Sequence, residues 1–414
     1  MGDTTVVTCG QLIDGQADEP VSDAVVVITD GQITDVSTRE AASGQLSAAD
    51  TVIDHSGETV IPGLIDAHLH LKGWPSMDQS DYLTYDVAAG AARATTHLRR
   101  LLDAGFTTVR DVDSRTGLGL RTAVEEGSIP GPRIHTSHRA IYQTGGHGDP
   151  HYLRHEWVDQ YNPYDPALCD GADECRKEAR KRIRDGVDLI KIGTTGGVLS
   201  EKDHPEQPQM TDDEIAAVTQ EAHRVGIPVA AHAQGARGIR NALQNGVDTI
   251  EHGIYIDDAG IELLRETGGV LVPTLAIVDR ICEVGADHGI PEFGLEKARE
   301  ARAAHVDAVR RADDAGATVA LGTDFVGPEL VPHGENAVEA VLYVEECGME
   351  PMDAIRAATS RAAQTLREQS VGVIEPGRHA DLVALDRDPL DDITALRDSI
   401  AAVYKGGERV DDGT

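Results

Sequence analysis

The chain has 414 residues, 40% of them hydrophobic, which is enough for one large α/β barrel with a smaller attached unit. It carries 71 acidic against 37 basic residues, a formal net charge of -34, and such a surface repels nucleic acid and anionic membranes, excluding both as partners. No stretch nears the roughly 18 unbroken apolar residues of a membrane span, and the start, Met1-Gly2-Asp3-Thr4-Thr5, lacks the segments of a secretory signal, so a soluble, cytoplasmic protein is expected.

Residues 1–60 read as short strands with turn signals, among them Val6-Val7-Thr8-Cys9 and Ala24-Val25-Val26-Val27-Ile28, with Asp30-Gly31 as a hairpin turn. From 61 to 369, apolar strand-like runs alternate with helical stretches, the signature of a parallel sheet. The expected strands are 65–71, 107–112, 133–138, 189–192, 229–233, 249–252, 270–275 and 318–323, with helices such as 88–104, 212–225 and 296–315 between them. Eight such units fit a (β/α)8 TIM barrel better than a doubly wound sheet, and no glycine-rich phosphate loop follows an early strand. After the turn at Glu375-Pro376-Gly377, segments 380–386 and 400–404 read as strands again. Residues 1–60 and 370–414 are therefore expected to build one small β-sandwich from both termini, around a hydrolase barrel of residues 61–369.

The lysines number only seven, and acidic, lysine-poor chains of this kind resemble proteins of salt-accumulating halophiles; a cationic substrate is the alternative reading of the charge. The five cysteines, Cys9, Cys169, Cys175, Cys282 and Cys347, form no CxxC pair, which argues against a disulfide framework and against a thiolate zinc site.

Candidate chemistry lies where a barrel places it, at the carboxyl ends of strands. In Ile65-Asp66-Ala67-His68-Leu69-His70 the two histidines are two apart, so both imidazoles can share one side of a strand. His232 ends Pro228-Val229-Ala230-Ala231-His232, His252 ends Asp248-Thr249-Ile250-Glu251-His252, and Asp324 ends Val319-Ala320-Leu321-Gly322-Thr323-Asp324. Lys191 closes Asp188-Leu189-Ile190-Lys191 and is the odd member, because a cation at an apolar strand end is costly; a salt bridge to Asp188 or Asp185 would explain it without any ligand role.

Taken together, HxH on strand one, Lys on four, His on five and six and Asp on eight resemble the amidohydrolase superfamily in its binuclear-metal subtype. The lead-in Val60-Ile61-Pro62-Gly63-Leu64-Ile65-Asp66 and the closing Gly377-Arg378-His379-Ala380-Asp381-Leu382-Val383 extend the likeness over nearly the whole chain. The resemblance implies that His68, His70 and Asp324 hold one divalent metal, most simply Zn2+, and that His232 and His252 hold a second. A carboxylated Lys191 and a hydroxide would bridge the two ions. The hydroxide would attack an amide carbonyl, and Asp324 would pass its proton to the leaving amine.

Within the superfamily the chain is similar to the imidazolonepropionase-like group that includes Xaa-Pro dipeptidases and ochratoxinase-type amidases. The segments carrying this likeness are Gln143-Thr144-Gly145-Gly146-His147-Gly148, Gly193-Thr194-Thr195-Gly196-Gly197-Val198, Glu251-His252-Gly253-Ile254-Tyr255 and His333-Gly334-Glu335-Asn336. The resemblance implies substrate contacts from His147, as an oxyanion donor, and from Tyr142, Tyr255, Gly196 and Gly197. His333 reads as a supporting residue, Arg110 and Asp111 as an ion pair, and Trp74 and Met77 as pocket or loop-packing residues. The expected substrate is a dipeptide or N-acyl amino acid, and the expected assembly a homo-oligomer. A one-metal imidazolonepropionase or deaminase would lack the strand-four lysine. An ester or organophosphate hydrolase would share the metal residues, and a non-catalytic scaffold would have lost some of them.

Overall fold

The computed structural model describes residues 3–160, 167–366, 368 and 370–410. The ends of the expected composite domain, 1–2 and 411–414, and positions 161–166, 367 and 369 of the expected barrel range lie outside the described residues. Four strands open the chain: β1 (Thr4–Leu12), β2 (Val21–Thr29), β3 (Gln32–Thr38) and β4 (Thr51–Pro62). The barrel follows with β5 (Leu64–Leu69), β6 (Phe106–Asp111), β7 (Arg133–Thr136), β8 (Ile141–Tyr142), β9 (Ala167–Leu168), β10 (Ile190–Gly193), β11 (Val229–Gly235), β12 (Thr249–Tyr255), β13 (Val270–Val272) and β14 (Thr318–Val319). Strands β15 (Leu382–Leu385), β16 (Ile400–Lys405) and β17 (Glu408–Arg409) end the described chain.

The terminal strands form one hydrogen-bonded mixed sheet in the order β17-β16-β15-β4-β1-β2-β3. Alternation dictates its buried side: Val7 and Cys9 of β1, Val26 and Ile28 of β2, and Leu382 and Ala384 of β15 share one apolar cluster. Strand β4 joins the two ends, parallel to β1 and antiparallel to β15. The strands of the expected small β-sandwich thus belong to one continuous mixed sheet.

The barrel strands run parallel as β5-β6-β7 and as β14-β13-β12-β11-β10-β8-β9. Backbone bonds close the ring between strand one and the segment after β14: Ala67 N donates to Leu321 O and His70 N to Phe325 O, both at 2.8 Å. On the other side Asp188 N donates to Thr136 O across the gap between β7 and β10. Outward-facing Ile190, Ile192, Ala231, Ile250 and Leu271 bury against the surrounding helices in the largest core cluster.

Strand seven is shorter than the expected 270–275. β13 stops at Val272, Thr274 takes a left-handed backbone (φ 60°), and Leu275 already opens the helix Leu275–Val284. The break has a polar cause: the Glu339 carboxyl oxygens accept the backbone N–H groups of Leu275 and Ala276 at 2.8 and 2.7 Å, donors that a new helix leaves unpaired. Two of the cysteines meet in space, with Cys169 Sγ and Cys175 Sγ 2.9 Å apart and buried, although both stand as free thiols.

Candidate active site

The barrel mouth opens into a cavity of about 210 Å³ lined by His68, His70, Lys191, His232, His252 and Asp324, together with Lys72, Asp113, Tyr142 and His147. Among these, His68, His70 and Asp324 each offer a donor atom within 4.8 Å of the other two. His70 Nε2 lies 2.9 Å, and His68 Nε2 3.5 Å, from Asp324 Oδ1. The imidazoles of His68 and His252 have centroids 5.0 Å apart, and those of His232 and His252 4.7 Å apart.

Each of three histidines has one ring nitrogen already engaged, leaving the other open. His68 Nδ1 is 2.6 Å from Glu251 Oε2, His252 Nδ1 is 2.7 Å from Thr274 Oγ1, and His232 Nε2 is 3.0 Å from Gly196 O. A ring that donates N–H outward presents a lone pair inward, which is the arrangement metal-binding imidazoles require. Burial holds His70 down to about 4 and His232 and His252 well below the usual histidine range, so the rings are neutral, as metal ligands must be. Burial alone would raise the Asp324 carboxyl, but hydrogen bonds and charge from His68 and His70 outweigh it and hold Asp324 well below the usual range. The donor set therefore fits a cationic group.

Lys191 makes neither of the salt bridges, to Asp188 or Asp185, that would have explained it without a ligand role. The Asp188 carboxylate is turned to Arg121 at 2.6 Å and to Thr136 N at 2.8 Å, and among the described residues no carboxylate lies within 4 Å of the Lys191 ammonium. Burial lowers its pKa to about 8, against the opposing charges of Glu251 and Asp324. About a tenth of its amine is then unprotonated at pH 7, far more than for an ordinary lysine.

Backbone strain helps to aim two of these side chains. His252 (φ 71°) and Asp324 (φ 59°) both occupy the left-handed region, uncommon outside glycine. On β12, Thr249 and Glu251 point into the barrel and Ile250 points out to the helices, so alternation would carry His252 outward. The left-handed turn brings its ring to the mouth instead, and His305 Nε2 pins the local backbone through His252 O and Pro273 O at 3.0 and 2.8 Å.

Glu251 and Arg110 were not singled out by sequence reasoning as a pair. The expected Arg110–Asp111 ion pair is replaced: neighbours on one strand face opposite ways, so Arg110 reaches Glu251 Oε1 at 2.7 Å inside the barrel. Asp111 instead accepts from Thr136 Oγ1 at 2.7 Å and Leu71 N at 3.1 Å. Burial would raise Glu251, but Arg110 and His68 outweigh it and keep the carboxylate ionised. Adjacency to His252 in sequence was the available signal. Lys72 and Asp113, also unflagged, form a buried pair at 3.0 Å in the cavity wall.

His147 lies flat on the His232 ring, with centroids 4.1 Å apart and planes 12° apart. Its Nδ1 is 2.9 Å from Ser200 Oγ, and the Ser200 hydroxyl is bonded to Asp203. The serine proton is thereby committed, so Nδ1–H of His147 donates and the neutral ring keeps a lone pair at Nε2; the expected donation to an oxyanion requires the protonated ring. Gly197 permits this packing, because a Cβ there would lie 2.3 Å from the His147 ring. Gly196 and Gly197 thus support His232 and His147 rather than reaching the cavity lining, and Tyr255 packs against the apolar cluster of Met77, Ile254 and Ile277. Tyr142, Trp74 and Met77 do line the cavity, while His333 contacts His70 O at 3.1 Å from behind.

Among the described residues no helix is long and apolar enough to cross a membrane. The family model of the Amidohydrolase family matches residues 59–410. Ochratoxinase of Aspergillus niger is 32% identical over 98% of this chain and 86% of its own length, and its crystal structure superposes with a TM-score of 0.89 over 99% of this chain and 95% of that one. The crystal structure of a Xaa-Pro dipeptidase with methionine bound in its active site is 35% identical, with a TM-score of 0.88, over 99% of this chain and all of that one. Imidazolonepropionase of Deinococcus deserti is 25% identical over 94% of this chain and 92% of its own length. The chain belongs to the amidohydrolase family, and is a hydrolase of carbon–nitrogen bonds.

Proposed function

We propose that this amidohydrolase cleaves the amide bond of a dipeptide or N-acyl amino acid at a centre holding two divalent metal ions, Zn2+ being the simplest choice for its donors. The observation that carries this reading is the convergence on one cavity of the His68–His70–Asp324 cluster with Lys191, His232 and His252. His68, His70 and Asp324 would hold one ion, and His232 and His252 the other. The Lys191 amine, kept partly unprotonated by burial, would add to carbon dioxide with release of a proton, and the resulting carbamate, one negative charge shared by two oxygens, would help hold the ions. When bound, the ions supply a water ionised near neutral pH and polarise the scissile carbonyl.

The chain's own groups do the rest. Asp324, ionised and beside His68 and His70, accepts a proton at a carboxylate oxygen and returns it to the leaving nitrogen. Glu251 fixes His68, and Thr274 fixes His252, so the donors do not reorient during turnover. His147 and Tyr142 contact the substrate from the cavity wall. The Xaa-Pro dipeptidase relative supports a dipeptide, an amide with a free carboxylate.

The test is a screen of dipeptides and N-acyl amino acids with zinc-reconstituted protein in high salt, alongside metal analysis. Turnover with about two metals per chain is expected; full activity in a metal-free preparation sinks the mechanism. Absence of turnover on every C-terminal-carboxylate amide sinks the substrate assignment.

A further inference from the structure

One stretch of the active-site cavity lining is apolar. Met77, Val198, Ile254, Ile277, Ile281 and Ile290 line it and pack together as one buried cluster. They come from the loops after barrel strands one and four, from β12 itself and from the helix Leu275–Val284 and the segment after it, so the wall converges from several elements. Ile277 and Ile281 stand four residues apart on the helix Leu275–Val284, the spacing that puts both on one helical face. That helix is held in place before any ligand arrives, because Glu339 accepts its first two N–H groups.

We infer that this wall receives a bulky apolar side chain of the substrate. The substrate class is then a dipeptide or N-acyl amino acid bearing a leucine- or phenylalanine-sized group on one side of the scissile amide. The inference rests on the amide-hydrolase reading and narrows it. A charged or amide side chain seated there loses its hydration and finds no partner among these six side chains. An apolar one gains roughly fourfold in binding per methylene group buried. The six side chains of the wall are aliphatic or thioether groups, with Trp74 and Tyr255 packed against their cluster, so the wall selects by size and polarity.

The first measurement is calorimetric binding of free leucine, phenylalanine, glycine and aspartate to the metal-loaded protein. Leucine and phenylalanine bind at least tenfold more tightly than glycine or aspartate; equal affinities for glycine and leucine overturn the inference. Ile281→Trp fills the wall and lowers the leucine-to-glycine affinity ratio at least tenfold. Should that variant not fold, Ile277→Ser makes the same wall polar and lowers the same ratio. A ratio unchanged in a folded variant overturns the assignment of the wall. A kinetic panel of dipeptides carrying Gly, Leu, Phe or Asp at each position separates the two readings. Turnover without size preference at either position sinks this inference alone. Tight leucine binding with no dipeptide turnover sinks the dipeptidase reading and leaves the wall standing.

Discussion

Glu251 Oε2 meets His68 Nδ1 at 2.6 Å, joining barrel strands six and one through the interior, while Glu251 Oε1 takes the Arg110 guanidinium at 2.7 Å. One buried carboxylate thus balances a cation and sets the tautomer of a candidate ligand. In Glu251→Gln the amide oxygen can serve His68 or Arg110 but not both, and the amide N–H group opposes whichever donor remains. Metal affinity is expected to fall by about 10- to 100-fold, as when such orienting partners are lost elsewhere. Competition titration against a chelator reads this directly; an unchanged affinity in a folded variant removes Glu251 from the site.

Lys191 gives a sharper test, because an ordinary lysine ammonium cannot bind a metal. Lys191→Ala is expected to drop metal content below two per chain and kcat on the order of 100-fold or more. Intact-mass analysis of native protein under carbon dioxide, against protein stripped at low pH, reads the carbamate separately. Retention of both metals and full turnover in the alanine variant contradicts the bridging role.

Stability should depend on pH through Glu339. Burial raises its carboxyl to about 8, against the lowering effect of the Leu275 and Ala276 N–H groups. A carboxyl raised on folding contributes stability that is fully present below its unfolded value, roughly 4.5, and is lost as pH rises toward 8. Denaturant unfolding at pH 5 and pH 8.5 should therefore show a decline in the parent protein that Glu339→Gln reduces. Parallel pH profiles for the two proteins dismiss the carboxyl as its source.

The net charge of -34 carries a fourth prediction. If the acidic surface is an adaptation to salt, screening its repulsion stabilises the fold, and Tm should rise by several degrees, about 5 °C or more, between dilute buffer and molar KCl. A melt insensitive to KCl leaves the cationic-substrate reading of the charge as the better one.

Much of the barrel was legible because its strands are short apolar runs ending on His, Lys or Asp, and both the β5 histidines and Asp324 announce themselves in that way. What was not legible depends on the backbone or on distant partners. His252 reaches the mouth only through a left-handed turn that its strand pattern does not encode. Glu251 acquires its role from His68, 183 residues away, and Asp113 from Lys72, 41 residues away. Cys169 and Cys175 looked scattered because helix and strand packing, rather than a motif, brings them together. Strand seven was read too long because Glu339, far along the chain, decides where it breaks.

Strand β4 sits between β1 and β15, with Thr59 and Val60 paired to both neighbours, and β5 begins two residues after it ends. On the ribosome, β1 to β4 emerge before the barrel strands, and the outer edge of β4 then waits until the barrel has been made before residues 382–385 arrive to cover it. An uncovered edge is a template for pairing with another nascent chain. The sheet is thus completed only after the barrel has been made, and a ribosome stalled short of β15 releases a chain with an open, adhesive flank beside the first barrel strand.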